Sequence, residues 1–191
     1  MGEALVVLAL VGILLLFSAT DLRGAQRRRD FENFARELVD LLEVCRWRAI
    51  SEGAYAGAVI TRAEDGYSAV LYLDGNGNGI RMQDISNGVD LQFRGPVLLR
   101  GAGGDMEAGY VSPPVPQIPP RTGYLSDLSD PIRFGRSDII SFSPRGDSSS
   151  GTIYLACHSQ SEMYALVLFG ATARLTLWKL HSNQWQTVED R

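Results

Sequence analysis

The sequence predicts an α+β fold, in which one long N-terminal helix packs on an antiparallel β-sheet head. Three observations carry that expectation. Ala4–Phe17 reads ALVVLALVGILLLF, without a charge. From Asp21 to about Ser51, apolar residues recur at steps of three and four, the helical period. Beyond Gly53 the chain turns to short runs rich in β-branched and aromatic residues, punctuated by Gly, Asn, Asp and Pro. The 191 residues are 45% hydrophobic and 21% charged, which suits one globular domain with an attachment. The predicted units are a transmembrane half-helix over 1–20, an amphipathic half over 21–53, and a β-rich head over 54–191.

In the first unit, Ser18, Ala19 and Thr20 extend the uncharged run to about 17 residues, the lower limit for spanning a bilayer core. The run is apolar on every side, unlike a surface helix. A cleaved secretory signal fits less well. No basic stretch precedes the run, and Phe17 would stand three residues before a cut after Ala19, where a small side chain is needed. A retained membrane helix is the expectation. Arg23, Arg27, Arg28 and Arg29 follow it, and only Glu3 precedes it. The positive-inside rule would keep that basic flank in the cytoplasm. A basic leader upstream of Met1 would reconcile this flank with a head on the far side of the membrane.

In the second unit, Phe31, Phe34, Ala35, Leu38, Leu41, Leu42, Cys45 and Ala49 define the apolar face. Arg28, Glu32, Arg36, Glu37, Asp40, Glu43 and Arg46 fill much of the rest. Gly53 is the predicted stop, and only Gly24 offers a bend. The arginines at 27–29 read as a solvated collar beside the membrane, with headgroup or nucleic-acid contact as the alternative.

In the head, Ala56–Arg62 and Tyr67–Leu73 read as a hairpin turning at Glu64, Asp65 and Gly66. Val89–Phe93 and Pro96–Leu99 are weaker strands. Residues 101–131, which include PPVPQIPP, read as a long irregular loop of the kind that often carries function. Asp138–Ser143, Thr152–Cys157, Met163–Phe169 and Ala173–Leu180 follow at meander spacing, with Gln184–Val188 as a short edge.

Few residues suggest chemistry. Asp74, Asn76 and Asn78, with Gly79 in sixth place, imitate the start of an EF-hand loop, where alternate oxygens and a glycine turn hold Ca²⁺. The twelfth place is Ile85, Asp84 comes one residue early, and no helix is predicted before the loop. A calcium site would use Asp74, Asn76, Asn78 and Asp84; the alternative is a metal-free Gly/Asn turn. Cys45 and Cys157 share no metal-type spacing and read as two buried thiols, with a disulfide as the alternative in an exported head. Ser148, Ser149 and Ser150 lack a nucleophile elbow. His158 and His181 sit in no catalytic motif, and GNGNG lacks the residues of a phosphate loop. No enzyme activity is predicted. The net charge of −4 gives no global footprint for nucleic acid.

Glu3 followed by ALVVLALVGILLL resembles the prepilin N-terminus, in which a basic leader precedes Gly-Phe-Thr-Leu-Ile-Glu and an apolar helix. Towards the C-terminus, ISFSPRG, SSSGTIYL and LVLFGATARLTLW resemble a narrower group, the GspH and FimT minor pilin-like proteins. Ala173 stands where that group usually has glycine. The resemblance covers the N-terminal helix and roughly the last 55 residues, a β-rich region.

The resemblance implies a minor pseudopilin of the type II secretion system. Its helix would sit once in the bacterial inner membrane, its head would face the periplasm, and it would assist export of folded proteins. It implies other minor and major pseudopilins, prepilin peptidase for a full-length precursor, and secreted cargo as partners; the irregular loop 101–131 is, from its own composition, the expected contact region. Glu3 would pair with the N-terminal amine of a neighbouring subunit during assembly. The plainer reading of Glu3 is a helix-start acid at the membrane surface. The alternative function is a FimT-like minor type IV pilin in pilus assembly or DNA uptake, which requires exposed cations on the head. Arg174, Lys179 and His181 are few for that.

Overall fold

A computed structural model describes residues 2–101, 104–111 and 113–191, with side chains from Gln26 onward. It is α+β, with the N-terminal helix packed on antiparallel sheet. Helix α1 is Gly2–Glu52. All eight apolar residues of the predicted face, from Phe31 to Ala49, are buried, and Val39 joins them. Gly53 takes φ +64° and ends the helix, as only glycine does without strain. Phe31 anchors the packing: its ring meets Tyr164 edge-on at 4.9 Å, and burying such a side chain stabilises by roughly 2–3 kcal/mol. Among the described residues, no helix is long and apolar enough to cross a membrane. The side chains of Glu3 and of the run Ala4–Thr20 lie outside the described residues.

Among the described residues ten strands follow: β1 (Ala56–Ala63), β2 (Gly66–Leu73), β3 (Leu91–Leu98), β4 (Met106–Ala108), β5 (Ile132–Arg133), β6 (Ile139–Phe142), β7 (Gly151–Cys157), β8 (Glu162–Phe169), β9 (Arg174–His181) and β10 (Gln184–Asp190). A short helix, α2 (Met82–Ser86), lies between β2 and β3. The strands form two antiparallel sheets, ordered β3-β2-β1-β6 and β10-β9-β8-β7-β4, with β5 also beside β7. One face of each sheet meets α1. Ala56, Ala58, Ile60 and Leu71 from the first share a core with Ile153, Leu155, Tyr164, Leu166 and Leu177 from the second.

The predicted hairpin 56–73 forms, with Ala63 opposite Gly66 and Glu64-Asp65 as its tip. Gly57 is required for packing: a Cβ there would lie 2.5 Å from the carbonyl oxygen of Ile140, on the paired strand β6. Three expectations need correction. Val89–Phe93 and Pro96–Leu99 are one edge strand, β3, whose register against β2 shifts twice. Pro96 donates no ladder hydrogen bond, which an edge tolerates. Residues 82–86, to which the sequence reading gives no element, form α2. Residues 101–131 are not simply loop: they hold β4 and cover part of a sheet.

The C-terminal meander forms with strands within a residue or two of expectation. Ala173 takes φ +50° in the turn before β9, a conformation that glycine adopts more readily, and is fully buried. Ser182 and Asn183 both take positive φ between paired His181 and Gln184, the two-residue hairpin geometry that matches strand twist.

Candidate functional site

The outer face of the six-stranded sheet, turned away from α1, presents Tyr154, Met163, Ala165 and Trp178. Residues 110–128 run across it as a strap. Val115 is buried there against Tyr154, Met163 and Trp185, with Tyr110, Val111, Ile118, Leu125 and Leu128 beside it. The strap is tied as well as packed. The Leu125 amide donates to the Val115 carbonyl at 2.8 Å and the Gln117 amide to Gly123 at 2.9 Å. The Trp185 indole donates to the Pro116 carbonyl at 2.9 Å. Proline-rich composition costs little entropy to order, so few contacts suffice to hold it.

At its far end the strap is fixed by Arg133. The guanidinium Nε donates to the Tyr110 hydroxyl at 3.0 Å and to the Asp130 carbonyl at 3.2 Å. Nη2 donates to the Asp127 carbonyl. The same group lies 5.8 Å from the Tyr110 ring centre and 5.6 Å from that of Tyr154, a cation–π arrangement. The Tyr110 hydroxyl in turn donates to the Asp130 carbonyl at 2.7 Å. Burial pushes this phenol up to about 12, although the Arg133 charge opposes the rise, so Tyr110 stays neutral and able to donate at physiological pH.

The strap stops short of the first outer-face position of β7 and the last outer-face positions of β8. A cleft of about 530 Å³ remains between them, lined by Ile118, Leu125 and Pro119 on one side and by Thr152, Val167 and Phe169 on the other. Arg121 and Arg133 both reach it. Among the described residues neither forms an ion pair. Phe169 is 56% exposed at the rim. The chemistry available is apolar contact beside two cationic hydrogen-bond donors. Sequence reading placed a contact region at 101–131 but missed Arg133, Phe169 and Thr152, which come from β5, β8 and β7.

The loop after β2 is built differently. Asp74 is only 5% exposed. Its Oδ1 accepts the amides of Asn76 and Gly77, each at 2.9 Å, and its Oδ2 accepts that of Gly79 at 2.8 Å. Asp90, equally buried, accepts the amides of Gly75 at 3.3 Å and Arg81 at 3.0 Å. The Asn78 side-chain Nδ2 donates to Asp84 Oδ2 at 3.0 Å, and Asn76 Oδ1 accepts the Asn78 backbone amide at 3.2 Å. The four residues considered for calcium are thus neighbours, but they face backbone amides and one another rather than a common centre. Among the described residues, no group of three or more acidic, histidine or cysteine side chains is arranged to hold a metal. This arrangement does not fit a calcium cage. Asp90, the second structural acid of the loop, stands at no spacing that a motif would flag.

Cys45 and Cys157 are both free and buried, which corrects the disulfide alternative. Cys45 faces the core from α1, and burial pushes its thiol up to about 12. Cys157 ends β7, where its sulfur lies 3.6 Å from both Asp105 and Ser159. His158 Nε2 lies 3.2 Å from Glu107 Oε1 at the surface, and His181 is exposed at the end of β9.

The serine run joins strands. Ser149 Oγ accepts the Ser141 amide at 3.0 Å, and Ser150 Oγ accepts that of Gly170 at 2.9 Å. A side chain at Gly170 would collide with Ser150 Oγ at 2.4 Å. The C-terminal sequence motifs therefore meet in one structural knot. Arg174 pairs with Asp190 at 3.3 Å and Lys179 with Glu162 at 3.6 Å, so two of the cations considered for DNA already have acidic partners.

The fold defines a class no finer than an α+β domain in which an N-terminal helix packs on antiparallel sheet, with a surface cleft beside residues 117–121. Comparison with protein-family models, with curated proteins and with solved structures found no match.

Proposed function

We propose that this chain is a minor pseudopilin, a structural subunit of a type II secretion pseudopilus held once in the bacterial inner membrane with its head in the periplasm. The observation that supports the reading is a single helix, Gly2–Glu52, whose two halves differ in sequence chemistry. Its face from Phe31 to Ala49 is buried in the head, while its sequence from Ala4 to Thr20 is an uncharged apolar run. A helix of that composition is stable in hydrocarbon, and packing of such helices side by side assembles subunits. The prepilin-like Glu3 and the C-terminal motifs lend support from sequence. By the same reading other pseudopilins and prepilin peptidase are the partners, and the strap is the surface that meets cargo.

Fractionation tests the proposal. The chain expressed in a Gram-negative host behind a basic prepilin leader should be recovered in the inner membrane, with the head digested by protease added to spheroplasts. Recovery in the cytoplasm, or a head protected in spheroplasts, would exclude it. Deletion of the gene should impair export of folded proteins. Salt-dependent DNA binding by the purified chain, with export intact, would move the assignment to a type IV pilin.

A further inference from the structure

We infer that the cleft beside the strap docks an extended peptide segment that presents one carboxylate side chain between apolar neighbours. The inference deepens the proposal above, since a pseudopilus subunit must meet partners or cargo, but its chemistry stands on the cleft alone. Arg121 and Arg133 enter an otherwise largely apolar cleft in a chain whose net charge is −4. The nearest acids on the strap are already committed: Asp127 Oδ1 accepts the Ser129 amide and Asp130 Oδ1 the Ile132 amide, each at 2.9 Å. Most other arginines near the helix and β10 have acidic partners, such as Arg36 with Glu189 and Arg191 with Asp40.

Charge complementarity therefore selects an anion: the free guanidinium fork of Arg121 favours a carboxylate or a phosphate, and Arg133, whose Nε and Nη2 already donate to Tyr110, Asp130 and Asp127, adds its charge beside it. Arg133 is held by Tyr110 and Tyr154, so little side-chain freedom remains to be lost when it binds. Ile118, Leu125, Val167 and the exposed ring of Phe169 supply contact on either side of the charge. The volume lies within the ~300–1,000 Å³ range of ligand sites. Exposure of the rim suits a segment of chain crossing the surface better than a small molecule that must be enclosed. Two cations are too few for a tracking nucleic-acid backbone, whose affinity is built from many phosphate contacts.

The test uses the full chain in detergent micelles and fluorescence anisotropy. The probes are a labelled peptide with one glutamate between two leucines, its glutamine counterpart, and a short oligothymidine. The glutamate peptide should bind saturably, the glutamine peptide about tenfold more weakly, and Arg121→Glu should weaken the glutamate peptide by about tenfold. Arg121 makes no side-chain hydrogen bond or ion pair among the described residues, so this variant keeps the fold, which circular dichroism checks. Equal binding of the two peptides, indifference to Arg121→Glu, tighter binding of oligothymidine, or no binding at all would overturn the inference. Correct membrane placement without peptide binding would sink the cleft and leave the pseudopilin reading standing. Peptide binding by a chain recovered outside the membrane would do the reverse.

Discussion

Replacing Asp74 isolates how the glycine-asparagine loop is held. In Asp74→Ala, three amides lose a charged acceptor at 2.8–2.9 Å. A hydrogen bond to a charged group contributes ~1.5–3 kcal/mol net, so three independent bonds would sum to about 4.5–9 kcal/mol. They are not independent, because they share one carboxylate. Gly75, Asn76, Gly77 and Asn78 are exposed, so water can reach the freed amides. About 2–3 kcal/mol should remain as the loss, which for a chain of this size lowers the melting temperature by roughly 5–10 °C. Asp74→Asn keeps one acceptor oxygen and should lose about half as much. Thermal melts followed by circular dichroism, with EDTA and with millimolar Ca²⁺, check both numbers. Because the carboxylate already faces amides, the losses should be equal in the two buffers. If calcium raised the melting temperature of the unmodified chain and Asp74→Ala abolished that rise, the reasoning would fail and the loop would be a metal site.

Three other outcomes are expected. Asp138 takes φ +49°, has a buried oxygen without a partner, and its carboxyl is raised first by burial and then by Asp130. A raised acid costs stability when ionised; the cost is relieved as pH falls through the raised value and is gone below the unfolded value of about 3.9. Asp138→Asn should therefore stabilise at neutral pH by a few tenths of a kcal/mol after solvent screening. It should also flatten the acid side of the stability profile, and urea melts from pH 4 to 7 that show a loss would refute this. Gly57→Ala should cost about 3 kcal/mol in urea denaturation, because its Cβ meets rigid backbone on β6; an unchanged midpoint would mean that β1 and β6 are not so closely paired. The native chain should leave both cysteines unlabelled by a thiol reagent at pH 8 and yield two after unfolding without reductant. Recovery of a Cys45–Cys157 crosslink would contradict the packing of both thiols.

Legibility in the sequence followed periodicity. The face from Phe31 to Ala49 and the meander from β7 to β10 were readable because each residue step maps onto a fixed side of the element. The strands β4 and β5, three and two residues long, are too short to show any period. Pro96 split β3 into two weak runs because a proline inside a strand pattern argues for an end, whereas here it sits on an edge. The strap was hidden by its prolines, which mark irregular backbone but say nothing about what lies beneath. A signal was nevertheless present. TIYLAC and MYALVLF are apolar at consecutive positions rather than alternate ones, the pattern of strands covered on both faces. Since α1 covers one face, a second cover was required, and residues 110–128 are it. The cleft residues escaped notice because Arg121, Arg133, Thr152 and Phe169 come from four separate places in the chain.

The ion pairs of α1 with the chain's end set the timing of biosynthesis. Arg36 reaches Glu189 and Asp40 reaches Arg191, and Phe31 packs on Tyr164 of β8. At ribosomal speeds of ~5–20 residues per second, the partners of the helix around Phe31 emerge roughly seven to thirty seconds after it. Throughout that interval a stripe of phenylalanine and leucine is without its sheet. A nascent chain in this state is a natural client for a holding chaperone, and the emergence of β8 to β10 releases it.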